Sequence, residues 1–243
     1  MSKPLTAQGW PYSRAMDNPS AGPAELRTPR AAAVAGIAFA VILGTVIVLA
    51  RSSTLAQGAD PASWLNPQSR RTSVELALYL VPFAGIAFLW FIGVLRSRLG
   101  AAEDRLFATV SLGSGLLFVA SLFVATAALS AILQLAPPGG AVPTESVKLL
   151  ATFSAVFSGE FATRMAAVFT LAVTTAGRRA KLLPGWLVAI GYVFPAALLI
   201  SPEGMPWIVI LFPTWVLLLS LHILIANAGG STHPESVERA DRL

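Results

Sequence analysis

The chain has 243 residues, 55% of them hydrophobic and 12% charged, about half the charged share of an ordinary soluble domain. That composition argues against a water-soluble domain, and the apolar residues gather in blocks of about 20, the length that crosses ~30 Å of hydrocarbon. The formal charge of +5 does not point to nucleic acid, because the basic residues flank apolar blocks; with no cysteine, disulfides, thiolate metal sites and iron–sulfur clusters are excluded.

Residues 1–30 carry Pro4, Pro11, Pro19, Pro23 and Pro29 among small and polar residues. Too little apolar surface is present to offset the entropy of ordering, so a disordered cytoplasmic tail is expected. The run from Ala31 to Ala50 follows a polar lead too long for a signal peptide and is itself long enough to span. An uncleaved anchor is expected, although Val48-Leu49-Ala50 resembles a cleavage site.

Further spans are predicted at 76–95, 106–135, 146–176, 183–201 and 206–226, giving six. The third and fourth exceed the necessary length by about two turns, so they tilt or project, and Pro137-Pro138-Gly139-Gly140 between them favours projection on the outer side. Basic residues set the orientation. Lys3, Arg14, Arg27, Arg30, Arg96, Arg98, Arg105, Arg178, Arg179, Lys181, Arg239 and Arg242 fall on one side; only Arg51, Arg70, Arg71 and Lys148 fall on the other. The positive-inside rule then places both termini in the cytoplasm. The expected fold is all-α: a polytopic bundle of six transmembrane helices over residues 31–227, N-in and C-in, in a bacterial inner-membrane type of cell membrane, with a cytoplasmic tail at 228–243.

Local signals refine this outline. Thr72 and Glu75 fit a capping box before the second span, Thr144 and Glu145 suit the start of the fourth, and Thr232 to Glu235 suit a short helix in the tail. Asp60-Pro61 followed by Trp64 suits an interfacial turn in the outer loop. Gly36, Ala40 and Gly44, and again Ala151, Ala155, Gly159 and Thr163, recur every four residues and predict close backbone packing. Pro82, Pro195 and Pro213 should kink their spans and leave carbonyls for a neighbour to satisfy. Tyr79 to Pro82 and Tyr192 to Pro195 look alike, but both prolines lie towards the outer face, which does not fit an inverted repeat.

Chemistry-bearing residues within the spans are few. Glu160 and Arg164 fall near the middle of the fourth span, four residues apart and so on one helical face. Ionisable groups at that depth are costly and are expected to face the bundle interior. They read either as a self-neutralised structural pair or as a proton or ion relay, with Glu160 titrating and Arg164 as its electrostatic latch. Ser154, Ser158 and Thr163 surround the pair; they either line a polar pathway or hydrogen-bond their own helix. His222 reads as an interfacial hydrogen-bonding residue, since no second ligand lies near it in sequence. Gly113-Ser114-Gly115 with His222 resembles the serine–histidine dyad of rhomboid proteases, but Leu112 stands where those enzymes have glycine and no glycine-rich helix follows His222. The glycines serve equally well as packing notches.

The stretch Pro82-Phe83-Ala84-Gly85-Ile86-Ala87-Phe88-Leu89-Trp90, with Glu103-Asp104-Arg105 and Gly113-Ser114-Gly115-Leu116-Leu117-Phe118, resembles an uncharacterised family of bacterial multi-span integral membrane proteins. The likeness covers about residues 78–127 and implies a topology but no activity. Arg96, Arg98, Glu103, Asp104 and Arg105 form a charged elbow suited to anionic headgroups. The sequence therefore carries three readings: first a scaffold or accessory subunit of a membrane assembly, then a small transporter or channel using Glu160 and Arg164, then an intramembrane serine protease. No cofactor and no metal are expected; the expected partners are the lipid bilayer and another membrane protein or a second copy.

Overall fold

The computed structural model describes residues 28–54, 68–99, 105–135, 144–200 and 207–228, and among them there is no strand. Seven α-helices follow in order: α1 (Thr28–Thr54), α2 (Gln68–Leu99), α3 (Arg105–Leu135), α4 (Thr144–Ala155), α5 (Ala162–Arg179), α6 (Gly185–Ile200) and α7 (Leu211–Ala228). A π-helical turn, Val156–Phe161, joins α4 to α5, and a 3-10 turn, Ile208–Ile210, leads into α7. Among the described residues, five stretches are long and apolar enough to cross a membrane: Ala33–Ala50, Arg71–Arg96, Leu106–Leu135, Glu145–Arg179 and Ile208–Ala226. The remaining apolar helix, α6, has 16 residues and is about 24 Å long. The terminal tails, the Asp60–Trp64 turn, the Pro137–Gly140 turn and most of the charged elbow lie outside the described residues.

Neighbouring helices run antiparallel. Arg71, near the start of α2, donates from Nη2 to the carbonyl of Leu133, near the end of α3, at 3.0 Å. Ser154 of α4 donates to the carbonyl of Ala125 on α3 at 3.0 Å. At the opposite end, the Arg179 guanidinium lies 4.7 Å from the centroid of the Phe107 ring, which places the end of α5 beside the start of α3. Gly36 of α1 packs against Phe91 near the end of α2 and Ser220 near the end of α7, so the first and last helices meet at one level.

Cohesion comes from aromatic packing. Phe88 is fully buried and lies 4.5 Å from Phe39, 5.3 Å from Phe118, 5.1 Å from Phe169 and 5.6 Å from Phe212, ring centroid to centroid. These five rings come from five different helices, mostly edge to face, the arrangement favoured by the ring quadrupole. Gly115 makes room here, since a Cβ there would lie 2.5 Å from Cδ1 of Ile92 and 3.3 Å from the Phe169 ring.

Two local expectations are corrected. α2 begins at Gln68, so Thr72 and Glu75 sit inside the helix and do not cap it; Glu75 instead accepts from Arg71 Nε at 3.0 Å, an i,i+4 pair. Pro213 falls in the first turn of α7, where its missing amide costs no helical bond, so it begins the helix and does not kink it. Pro195, inside α6, does leave the carbonyl of Gly191 without its amide, and the hydroxyl of Thr174 on α5 donates to that oxygen at 3.2 Å.

The turn from α5 to α6 closes by hydrogen bonding. Leu182 N–H donates to Gly177 O at 2.9 Å and Lys181 N–H to Arg178 O at 3.1 Å, with Lys181 at φ 56°. This is a Schellman closure with lysine at the left-handed position that glycine usually fills. It leaves Arg178, Arg179 and Lys181 exposed on one turn.

Candidate functional site

The fourth apolar stretch changes its winding at the residues that carry charge. Ala162 N–H donates to Phe157 O, five residues back, in place of the α-helical four. Gly159 in the widened turn has no side chain to crowd it, and a Cβ built there meets nothing within 4 Å. Hydroxyls bond backbone carbonyls in and around this turn: Ser158 donates to Ser154 O at 2.8 Å and Thr163 to Ser158 O, five residues back, at 3.4 Å. Short π segments of this kind recur at functional positions.

The extra residue in that turn rotates everything after it by about 100° relative to a continuous α-helix. Ala151, Ala155, Gly159 and Thr163 therefore do not form one packing stripe. Ala155 and Gly159 are exposed on the outside of the bundle, whereas Thr163 is buried against it.

Glu160 and Arg164 form an ion pair, Arg164 Nη1 donating to Glu160 Oε2 at 2.9 Å. Their location differs from expectation: the side chains keep 37% and 50% of their accessible surface, so the pair faces out of the bundle and not into it. The physical reason is the neighbourhood of the helix. Among the described helices, α4 and the π turn pack sideways on α3 alone, which puts this half of the stretch on the edge, while α5 beyond it packs on α3 and α6. Among the described residues the pair holds one bond only, and Glu160 Oε1, Arg164 Nη2 and Arg164 Nε have no protein partner.

An aromatic ladder shares this edge. Phe153 and Phe157 rings lie 4.7 Å apart and Phe157 and Phe161 5.2 Å, with Phe153 and Phe161 exposed. The i,i+4 spacing of these phenylalanines was legible in the sequence, but nothing there marked them as facing outward beside the charges. Of the predicted site residues, the structure brings Glu160 and Arg164 together on the outside, leaves Ser158 half-buried within its own turn, and turns Thr163 inward.

The other candidates are accounted for by backbone bonding and position. Ser114 is buried and donates to Val110 O at 2.6 Å and Ser111 O at 3.3 Å. Phe118 and Phe212 meet at 4.8 Å; counting 1.5 Å per residue, Ser114 lies about 6 Å from that level and His222 about 15 Å in the same direction. The two are offset along the bundle and form no dyad. Gly115 is a packing notch as expected, but Gly113 faces open space. Among the described residues no three His, Asp or Glu side chains gather as a metal site. An open, largely apolar groove of about 100 Å³ runs between α1 and α7, bordered by Gly44 and Pro213, and the Thr214 hydroxyl beside it is spent on Ile210 O at 2.8 Å.

No protein-family model, no curated protein and no solved structure matches this chain.

Proposed function

We propose that the chain is an integral membrane protein with six spans, α6 included, and both termini in the cytoplasm, which acts as an accessory or scaffold subunit by lateral contact with another membrane protein. The observation that carries this reading is the outward Glu160–Arg164 pair on the edge of the bundle, in the middle of the Glu145–Arg179 stretch. In hydrocarbon, acidic and basic groups at mid-span each cost about 3 kcal/mol on insertion scales, and pairing offsets only part of that. A face that carries such a cost outside its own bundle is explained by a protein surface that covers it. Small residues at Ala155 and Gly159 let a partner backbone approach, and Phe153 and Phe161 flank the charges with apolar surface.

The orientation rests on the twelve basic residues of one side, and the likeness of residues 78–127 to a bacterial membrane-protein family belongs to the same proposal. Two measurements test the function together. On native gels of mildly solubilised membranes, the wild-type chain is expected to migrate in an assembly larger than one copy, and Glu160→Gln with Arg164→Gln is expected to release it. In proteoliposomes, neither protein is expected to carry a proton or ion flux; a flux lost on Glu160→Gln would replace this reading with the transport one.

A further inference from the structure

We infer that the partner covering the Glu160–Arg164 edge is a second copy of this chain, related by a two-fold axis along the membrane normal. The inference rests on the accessory-subunit reading and names the occupant of its contact face. The charge arrangement favours it. The intramolecular bond uses one guanidinium nitrogen and one carboxylate oxygen, so among the described residues Arg164 Nη2 and Nε and Glu160 Oε1 remain as two donors and an acceptor without protein partners, on side chains that are half and more than a third exposed. A partner must therefore supply both an acceptor and a donor to this edge.

A two-fold copy supplies both, because it presents the same acid and the same base on the same edge. Each guanidinium then bridges its own carboxylate and that of its partner, and the two pairs close into a ring of four alternating charges. The planar fork of arginine, with five N–H donors, suits such double use where lysine would not. Close approach is needed, and the exposed Ala155 and Gly159 allow it: the Cβ of any residue placed at 159 meets nothing within 4 Å among the described residues of its own chain. The phenylalanine ladder beside the charges provides the surrounding apolar contact that keeps lipid headgroups and water from the ring.

The absence of cysteine from the sequence makes the test direct. In the full chain reconstituted into liposomes, Gly159→Cys is expected to form a disulfide-linked dimer on mild oxidation, while Val34→Cys, exposed on α1, is expected to remain monomeric. Separately, fluorescence energy transfer between labelled copies is expected to fall at least tenfold in association constant for Glu160→Gln alone and for Arg164→Gln alone. Mixing those two variants is expected to recover a mixed dimer, since one copy keeps the base and the other the acid. A Gly159→Cys chain that fails to self-link while wild type shows no energy transfer overturns the second copy, and so does a mixture no tighter than either variant alone. If Gly159→Cys links in native membranes only to a different protein, the second copy falls and the accessory-subunit reading stands. A Glu160-dependent ion flux removes both.

Discussion

Thr174 of α5 donates its hydroxyl to the carbonyl of Gly191 on α6, at 3.2 Å, and so supplies the acceptor that Pro195 has deprived of its helical amide. The hydroxyl is fully buried, and the approach is close because residue 191 has no side chain. A helix break and its remedy thus lie on two adjacent helices joined by a short turn. Thr174→Val keeps the shape and removes the donor, and is expected to cost about 1–2 kcal/mol. In a Pro195→Ala background the same change should cost much less, because the alanine amide reclaims the Gly191 carbonyl. Unfolding in mixed micelles, followed by tryptophan fluorescence, measures all four corners of this cycle.

Gly36 and Ser220 make a second close contact. A Cβ at position 36 would run into the Ser220 hydroxyl and come within 2.8 Å of the Phe91 ring. Gly36→Ala is expected to destabilise the bundle by about 1–3 kcal/mol through overpacking of α1 against α2 and α7. Among the described residues the buried Ser220 oxygen has no hydrogen-bond partner, so Ser220→Ala is expected to be neutral to about 1 kcal/mol stabilising. The double variant should cost less than the sum of the two effects, a coupling that detergent melting curves would detect.

Lys181 occupies a left-handed backbone position, φ 56°, in the turn between α5 and α6. Lys181→Gly relieves that conformation and is expected to stabilise the folded chain by about 0.5–1 kcal/mol, whereas Lys181→Val should destabilise it. The measurement is the shift in melting midpoint of the purified protein. A rise for valine as large as for glycine would show that charge, and not backbone geometry, governs this turn.

Phe88 sits where rings of four other helices converge. Phe88→Ala is expected to cost about 2 kcal/mol or more. In the proposed membrane setting the figure is smaller than for a water-soluble core, because an unfolded membrane helix still keeps its apolar surface in lipid and the loss is mainly of packing. Phe83→Ala, on an exposed position of the same helix, is expected to change stability by less than about 0.5 kcal/mol.

The proposed orientation has its own test. With single cysteines introduced into the cysteine-free chain, a membrane-impermeant maleimide added to intact cells is expected to label Ser63→Cys in the outer loop. Ser2→Cys and Ser231→Cys should label only after the cells are opened. Labelling of Ser2→Cys from outside would contradict the assignment drawn from the basic residues.

Much of the architecture was legible because it depends on local composition. Blocks of apolar residues bounded by charge mark α1, α2, α3, the long α4–α5 stretch and α7 without reference to any neighbour, and the four-residue spacing of Glu160 and Arg164 places them within reach of each other in an α-helix or near one. The start of α4 at Thr144 was equally local, whereas the Thr72–Glu75 signature misled because helix-forming residues upstream extend α2 past it. A capping signature marks where a helix is able to start, not where it must.

By itself, the sequence determined that the chain is built of long apolar helices, that one of them carries an acid–base pair, and that prolines interrupt others. Only the tertiary structure decided which way that pair faces, since burial depends on which helices stand alongside, and among the described helices α4 packs sideways on α3 alone. It also decided the register: one residue added in the π turn at Val156–Phe161 moves Thr163 inward and leaves Gly159 outward, a rotation of about 100° that a four-residue periodicity cannot reveal. The donor for the Gly191 carbonyl was likewise beyond the sequence, because Thr174 lies 17 residues away and reaches it only once α5 and α6 are packed.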